Sequence, residues 1–182
     1  MNKAVFLDRD NTLIEDKGYV YKKEDLKWKV GAKEALEIFS KKGYTLIVVT
    51  NQSGVARGYY TEDEVVEFHE NMNNDLFNIH GIKIDKFYYS PFHPSGIVVR
   101  YRKQSNCRKP GNALFKKAIE EFNISTSNSI AIGDNTTDLI PAVSLNFNKA
   151  YLIGNAINLK IEEPLKNKVT AVKNWNEIIS DL

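Results

Sequence analysis

Residues 3–14, KAVFLDRDNTLI, decide the fold. Lys3 to Asp8 is a strand-length apolar run closed by an acid. Asp8 and Asp10 then stand one residue apart before a second apolar pair, Leu13 and Ile14. Four more runs have the same character: YTLIVVT (44–50), IDKFYYS (84–90), SIAIGD (129–134) and KAYLIG (149–154). Each is rich in β-branched or aromatic residues and reads as a buried strand.

Helical patterns separate them. Residues 31–43 place Ala32, Ala35, Leu36 and Phe39 on one face, with Gly43 as the stop. Residues 61–81 open with a Thr61/Glu64 capping box and set Val65, Phe68, Met72, Leu76 and Ile79 on one stripe. Residues 110–123 begin with Pro110 near a first helical position and are expected to bury Leu114, Ala118, Ile119 and Phe122. Alternation of this kind predicts an α/β fold, a Rossmann-like parallel sheet with helices on both faces. Ligands bind beyond the carboxyl ends of the strands in such sheets. Asp8, Asp10, Thr50 and Asp134 all fall at strand carboxyl ends, so four polar residues distant in sequence are expected on one rim.

Composition narrows the class. The chain has 182 residues, 42% hydrophobic and 26% charged, with a formal charge of +2. That charge is too small to argue for a nucleic-acid or membrane partner. The lone cysteine, Cys107, excludes an internal disulfide and any zinc site built on two thiolates of one chain. The apolar runs are too short to span a bilayer, and MNKAVFLDRD reaches charge at once, unlike a signal peptide. A cytoplasmic protein folded as a single domain over residues 1–182 is expected, with no internal repeat or linker.

Two adjacent carboxylates repel unless a cation joins them. Mg²⁺ takes oxygen ligands and usually keeps water and phosphate in its shell. Asp8 and Asp134 are natural side-chain ligands, while Asp10 could offer its backbone carbonyl and keep its carboxylate for proton transfer. Against this, DRDN and GDN are each ordinary turn compositions. Either fragment alone leaves the choice open.

Taken together, FLDRDNT, VVTNQSG, CRKP and IGDNTTD occur in one order, and that set resembles the haloacid dehalogenase-like phosphohydrolases. With DKGYVY, GVARGYYTEDE and YYSPFHPSG added, the resemblance narrows to the heptose 1,7-bisphosphate 7-phosphatases and the related histidinol-phosphate phosphatases, over roughly residues 3 to 155. The resemblance implies Asp8 as nucleophile forming an aspartyl-phosphate, and Asp10 as general acid and base. It implies Thr50 and Lys109 on the transferring phosphoryl oxygens, and Mg²⁺ held by Asp8, the Asp10 carbonyl and Asp134. Asp138 would orient a metal-bound water. Substrate contacts map to Asp16, Lys17, Gly18 and Tyr19, to Asn51, Gln52 and Ser53, and to Arg108. Arg57 and Asn135 are further candidates.

The chain departs from that pattern in several places. Asn11 replaces a customary Gly, and Asn tolerates left-handed angles best among the other residues. Many relatives carry Cys-x-His and Cys-x-Cys zinc ligands where this chain has Ser90, Phe92, Ser105 and Cys107, so no zinc is expected. Asn135 stands where close relatives often have Lys. Pro141 falls inside an expected helix.

A small sugar bisphosphate is the expected substrate, heptose 1,7-bisphosphate first, yielding heptose 1-phosphate for surface-polysaccharide precursors. No large cap domain fits this length, so the loops 16–22, 52–60 and 90–108 must select it. Histidinol phosphate is an alternative, and TNQSG also resembles polynucleotide 3′-phosphatases, which the near-neutral charge disfavours. A phospholigand-binding relative without activity is the other alternative. A monomer is favoured. Ordinary packing or exposure is expected for His69 and His80.

Overall fold

In a computed structural model of the chain, which describes residues 1–154, 165 and 167–182, the strands are β1 (Lys3–Leu7), β2 (Tyr44–Asn51), β3 (Lys86–Ser90), β4 (Ile130–Gly133), β5 (Lys149–Ile153) and β6 (Thr170–Val172). They form one parallel sheet in the order β3-β2-β1-β4-β5-β6. The helices are α1 (Ala32–Lys41), α2 (Glu62–His80), α3 (Ala113–Glu121), α4 (Thr136–Ser144) and α5 (Trp175–Ser180).

Alternation along β1 divides the core. Val5 and Leu7 face a cluster with Leu36 and Phe39 of α1, Phe68, Met72 and Leu76 of α2, and Trp175 and Ile178 of α5. Ala4 and Phe6 face the opposite cluster, with Phe115 and Ala118 of α3 and Leu139 and Ala142 of α4. Each sheet face is therefore covered, as near-continuous apolar parallel strands require. Burying one such Leu or Phe is worth about 1.5–3 kcal/mol. The chain order reverses between β2-β1 and β4, which places the switch point at the carboxyl ends of β1 and β4.

Four expectations need correction. Ile79, in the last turn of α2, is exposed, and Val65, Phe68, Met72 and Leu76 carry the buried stripe. α3 starts at Ala113, not at Pro110. Pro110 follows a cis peptide bond in a turn where the Gly111 N–H donates to the Arg108 carbonyl. Within α3 the fully buried residues are Phe115 and Ala118, while Leu114, Ile119 and Phe122 pack at its rim. Lastly, β6 and α5 extend the alternation beyond the five strands and three helices read from periodicity.

α4 runs through Pro141, which is buried. The capping box at Asn135 and Asp138 closes the first turn of α4 and offsets the backbone hydrogen bond that proline cannot donate. Gly43 follows the end of α1 at φ 76°, as a helix stop requires.

Above the carboxyl edge of β2 and β3 sits a third, smaller cluster: Val55, Ala56, Tyr60, Val65 and Tyr101, with Tyr21, Tyr89 and Phe92 packed against it. It sits where loops cross the sheet edge, and among the described residues no separate cap domain covers that edge. No described helix is long and apolar enough to cross a membrane.

Candidate active site

The chain leaves β1 at Leu7 still pinned to the sheet, since the Asp8 N–H donates to the Ile132 carbonyl of β4 at 2.9 Å. It then turns. Asn11 takes φ 58°, the left-handed angle that Asn tolerates, and the N–H groups of Leu13 and Ile14 both return to the Arg9 carbonyl. The Trp175 indole N–H donates to the Thr12 carbonyl at 3.0 Å and braces the turn from behind.

Asp8 is buried and meets Lys109, whose Nζ lies 2.6 Å from Asp8 Oδ1, 2.8 Å from Asp138 Oδ1 and 2.6 Å from the Val49 carbonyl. All three ammonium donors are thus engaged, and Lys109 can reach a phosphoryl oxygen only by exchanging one of them. The lysine is placed by its own backbone: Asn51 Oδ1 accepts from the Lys109 N–H at 3.0 Å, and Asn51 Nδ2 donates to the Lys109 carbonyl at 3.1 Å. Burial alone would lower the Lys109 pKa, but Asp8 and Asp138 reverse that and drive it up. The Asp8 carboxyl is pushed well above its usual range by burial, against the attraction of Lys109, with Asp138 and Asp10 adding repulsion.

Asp134 follows β4 on the same rim. Burial and Asp138 raise its pKa to about 6. Carboxylate oxygens of Asp8, Asp134 and Asp138 lie within 4.8 Å of one another. Asp138 is already committed, with Oδ1 on Lys109 and Oδ2 accepting the Asn135 N–H at 3.0 Å. Asp8 and Asp134 are the freer pair. Among the described residues four carboxylates, those of Asp8, Asp10, Asp134 and Asp138, face two side-chain cations, Lys109 and Arg9. The deficit equals one divalent ion, and all-oxygen donors suit Mg²⁺.

Asp10 turns toward β2. Its Oδ1 accepts from Nε and Nη2 of Arg9 at 2.9 and 2.7 Å. Its Oδ2 accepts from Gln52 Nε2 at 2.8 Å and lies 3.4 Å from Thr50 Oγ1. Gln52 also donates to Thr50 Oγ1 at 2.9 Å, and its carbonyl oxygen accepts the Tyr60 hydroxyl at 2.7 Å. The Tyr60 ring lies so close over Gly54 that a Cβ there would come within 2.2 Å of it. Gly54 is therefore required by the approach of Tyr60.

The other candidates lie on the loops that follow these strands. Asp16 Oδ1 accepts from the N–H groups of Gly18 and Val20, shaping a turn in which Gly18 and Tyr19 both have positive φ. Lys17 at its tip is exposed. The Tyr19 ring meets Tyr59 edge-on at 4.7 Å, so this loop touches the one after β2. Ser53 opens that second loop, its carbonyl accepting the Arg57 N–H. Arg57 Nη2 lies 3.3 Å from His93 Nε2, and Arg108 is lowered by burial and by the nearby Arg57 charge. Among the described residues neither arginine forms a salt bridge, and each has a buried nitrogen without a partner. Asn135 spends its side-chain oxygen capping α4 through the Thr137 N–H. His69 is buried and stacks on Phe87, and His80 bonds Glu37.

The donor set at Ser90, Phe92, Ser105 and Cys107 does not fit zinc, offering one thiolate and no imidazole. Aromatic packing fills the region: Glu62 accepts hydroxyls from Tyr89, at 2.9 Å, and from Tyr101, and Phe92 lies against the Tyr101 ring. Periodicity and motif spacing passed over Arg9, Tyr60 and Glu62. Arg9 had one visible signal, its place between two catalytic-type aspartates; Tyr60 and Glu62 had none, since their partners are distant in sequence.

Comparison with known proteins agrees with this geometry. The polynucleotide kinase 3 phosphatase family model matches residues 3–165. The chain is 39% identical over 163 residues to a D-glycero-beta-D-manno-heptose-1,7-bisphosphate 7-phosphatase of Haemophilus ducreyi, covering 88% of this chain and 89% of that one. It is 37% identical over 183 residues to the protein of that name from Pasteurella multocida, covering 100% and 95%. A D,D-heptose 1,7-bisphosphate phosphatase from B. bronchiseptica, complexed with magnesium and phosphate, has the same fold at TM-score 0.82 and 21% identity, over 99% of each chain. Motif order, site geometry and these matches agree that the chain belongs to the polynucleotide kinase 3 phosphatase family, alongside the heptose-1,7-bisphosphate 7-phosphatases.

Proposed function

We propose that this chain is a Mg²⁺-dependent phosphatase that converts D-glycero-D-manno-heptose 1,7-bisphosphate to heptose 1-phosphate through an aspartyl-phosphate on Asp8. The observation that carries the reading is the pairing on one rim of a buried carboxylate held by Lys109 with a second carboxylate, Asp10, braced 3.4 Å from Thr50. Asp8 attacks phosphorus, the ester P–O bond breaks, and Asp10 gives its proton to the leaving sugar oxygen. Asp10 then takes a proton from the water that attacks the aspartyl-phosphate, freeing Asp8 and inorganic phosphate. Thr50 and Lys109 hold the equatorial phosphoryl oxygens. Lys109 does so by exchanging its contact with Asp8 as that carboxylate becomes phosphorylated.

Asp8, Asp134 and the Asp10 carbonyl would hold Mg²⁺, whose charge offsets the repulsion between phosphate and carboxylate. Asp138 keeps Lys109 and the start of α4 in place. Arg57 and Arg108, two cations without acid partners among the described residues, suit the second, distal phosphate of a bisphosphate. Lys17, Gly18, Tyr19, Gln52, Ser53 and Asn135 line the approach. The reading takes the whole chain as one working unit, a monomer in the cytoplasm without zinc, and neither nucleic acid nor membrane as partner.

The test is phosphate release with Mg²⁺, comparing both anomers of the heptose bisphosphate with histidinol phosphate and a 3′-phosphorylated oligonucleotide. Preference for one heptose anomer supports the assignment. Faster release from the oligonucleotide or histidinol phosphate overturns it in favour of that substrate. Asp8→Asn is expected to lower kcat by about 10³-fold or more while sparing the fold. Mg²⁺-dependent binding without release by the unaltered chain would mark a phospholigand-binding relative.

A further inference from the structure

We propose that Arg9 is a positioning residue that assigns the transferable proton of Asp10 to one oxygen, Oδ2. The inference rests on the phosphatase reading above. The Arg9 side chain is 1% exposed. It folds back from between the two aspartates, so that Nε and Nη2 both donate to Asp10 Oδ1 at 2.9 and 2.7 Å. Nη2 is anchored in turn on the Val20 carbonyl at 2.9 Å, and the guanidinium lies 5.0 Å above the Phe68 ring. Two charge-assisted donors on one carboxylate oxygen fill its lone-pair directions. A proton on Oδ1 would have to displace a buried guanidinium N–H and leave it unpaired, which is costly.

Oδ2 is different. It accepts one strong bond, from Gln52 Nε2 at 2.8 Å, and on the side of Thr50 only a long one, from the Thr50 hydroxyl at 3.4 Å, which a proton on Oδ2 displaces far more cheaply than a guanidinium N–H. Gln52 is held in turn by the Tyr60 hydroxyl, which the close packing over Gly54 and a stack on Tyr21 at 4.9 Å fix in place. The two oxygens are braced by different residues, Oδ1 by Arg9 and Oδ2 by Gln52. Together they leave Oδ2 as the atom that gives its proton to the leaving oxygen and takes one back from water. Arg9 itself exchanges no proton.

The test exploits leaving-group chemistry. An alkyl phosphate needs a proton on its leaving oxygen, whereas p-nitrophenyl phosphate releases a stable phenolate without one. kcat/KM covers the steps through departure of that group, so it isolates the protonation from later hydrolysis of the aspartyl-phosphate. General acid catalysis is worth about 10²–10⁴-fold. Arg9→Met is expected to lower kcat/KM for the sugar phosphate by about 10²-fold and for p-nitrophenyl phosphate by less than tenfold, the same skew as in Asp10→Asn. Arg9→Lys, which restores one donor, is expected to recover part of the loss on the sugar phosphate.

Tyr60→Phe frees the Gln52 amide and should show a smaller skew in the same direction. Should Arg9→Met fail to fold, as judged by its thermal transition, Arg9→Lys and Tyr60→Phe carry the test. Equal losses on both esters in these variants would overturn the proposal and leave Arg9 a packing residue. If the unaltered chain hydrolyses neither ester, the phosphatase reading fails and takes this inference with it; if it hydrolyses both and no skew appears, only this inference falls.

Discussion

At the scale of single residues, Lys109 is the cation on which two buried carboxylates depend. Removing one partner of a buried ion pair typically costs about 3–5 kcal/mol, because the charge left behind is uncompensated. Lys109→Met is expected to destabilise the metal-free protein by about 3 kcal/mol. Added Mg²⁺ should recover part of that, since the ion neutralises Asp8, and thermal unfolding with and without Mg²⁺ checks both statements. His69 makes a second case. Its imidazole is 5% exposed, stacks on Phe87 at 4.3 Å and leaves Nε2 without a partner. Burial, and then the Arg9 charge, hold its pKa well below the usual range.

An unfolded histidine titrates near about 6.5. Below that pH the unfolded chain binds a proton the folded chain refuses, so stability from this group falls as pH drops and is unaffected above it. Between pH 7.5 and 5.5 the wild type should lose about 1 kcal/mol more than His69→Phe in urea unfolding. How much of the site was legible in the sequence also divides at this scale. Asp8, Asp10, Thr50, Lys109 and Asp134 sit in motifs at strand ends, where chemistry and topology coincide. Asn51 and Asn135 read as substrate contacts from the motifs, and in the fold their side chains also serve the Lys109 backbone and the α4 cap. An amide looks alike in either role until its partner is known.

At the scale of elements, the segment between β3 and α3 is tied to α2 through tyrosine hydroxyls on one carboxylate. Here Glu62, in the first turn of α2, receives hydroxyls from Tyr89 and Tyr101, the latter 7% exposed, and the Tyr89 hydroxyl pKa rises to about 12 through burial and this carboxylate. Chelators that strip zinc should leave the thermal transition unmoved, and elemental analysis should find no stoichiometric zinc. Glu62→Ala should cost about 1–3 kcal/mol, by leaving a buried tyrosyl hydroxyl unpaired, and should raise protease sensitivity around residues 93–105. Long elements with strong periodicity were legible: α1 and β2 fall within a residue or two of their expected bounds. β6 was not, because three residues carry no measurable alternation, and a six-residue helix such as α5 offers barely more than one turn of pattern. Pro110 misled for a related reason. A proline near an apolar stripe marks a helix start or a turn equally well, and here it belongs to the turn that presents Lys109.

At the scale of the whole molecule, strand order does the assembling. With β1 central, flanked by β2 and β4, the ends of three strands distant in sequence meet within one rim, and the last helix closes behind them. The Trp175 side chain is 1% exposed, it packs within 3.0 Å of where a Gly31 Cβ would be, and its N–H holds the Thr12 carbonyl. Trp175→Ala is expected to cost about 3–5 kcal/mol in chemical unfolding. At a temperature where the variant stays folded, kcat should fall as well, since the turn after Asp10 loses its brace; an unchanged kcat would confine Trp175 to packing. The separation matters in time as well as space. The two aspartates leave the ribosome well before the indole that steadies their turn, which follows Thr12 by 163 positions. A nascent chain therefore carries its whole reactive pair long before it carries the means to aim it, and a product cut short anywhere before residue 175 lacks that brace.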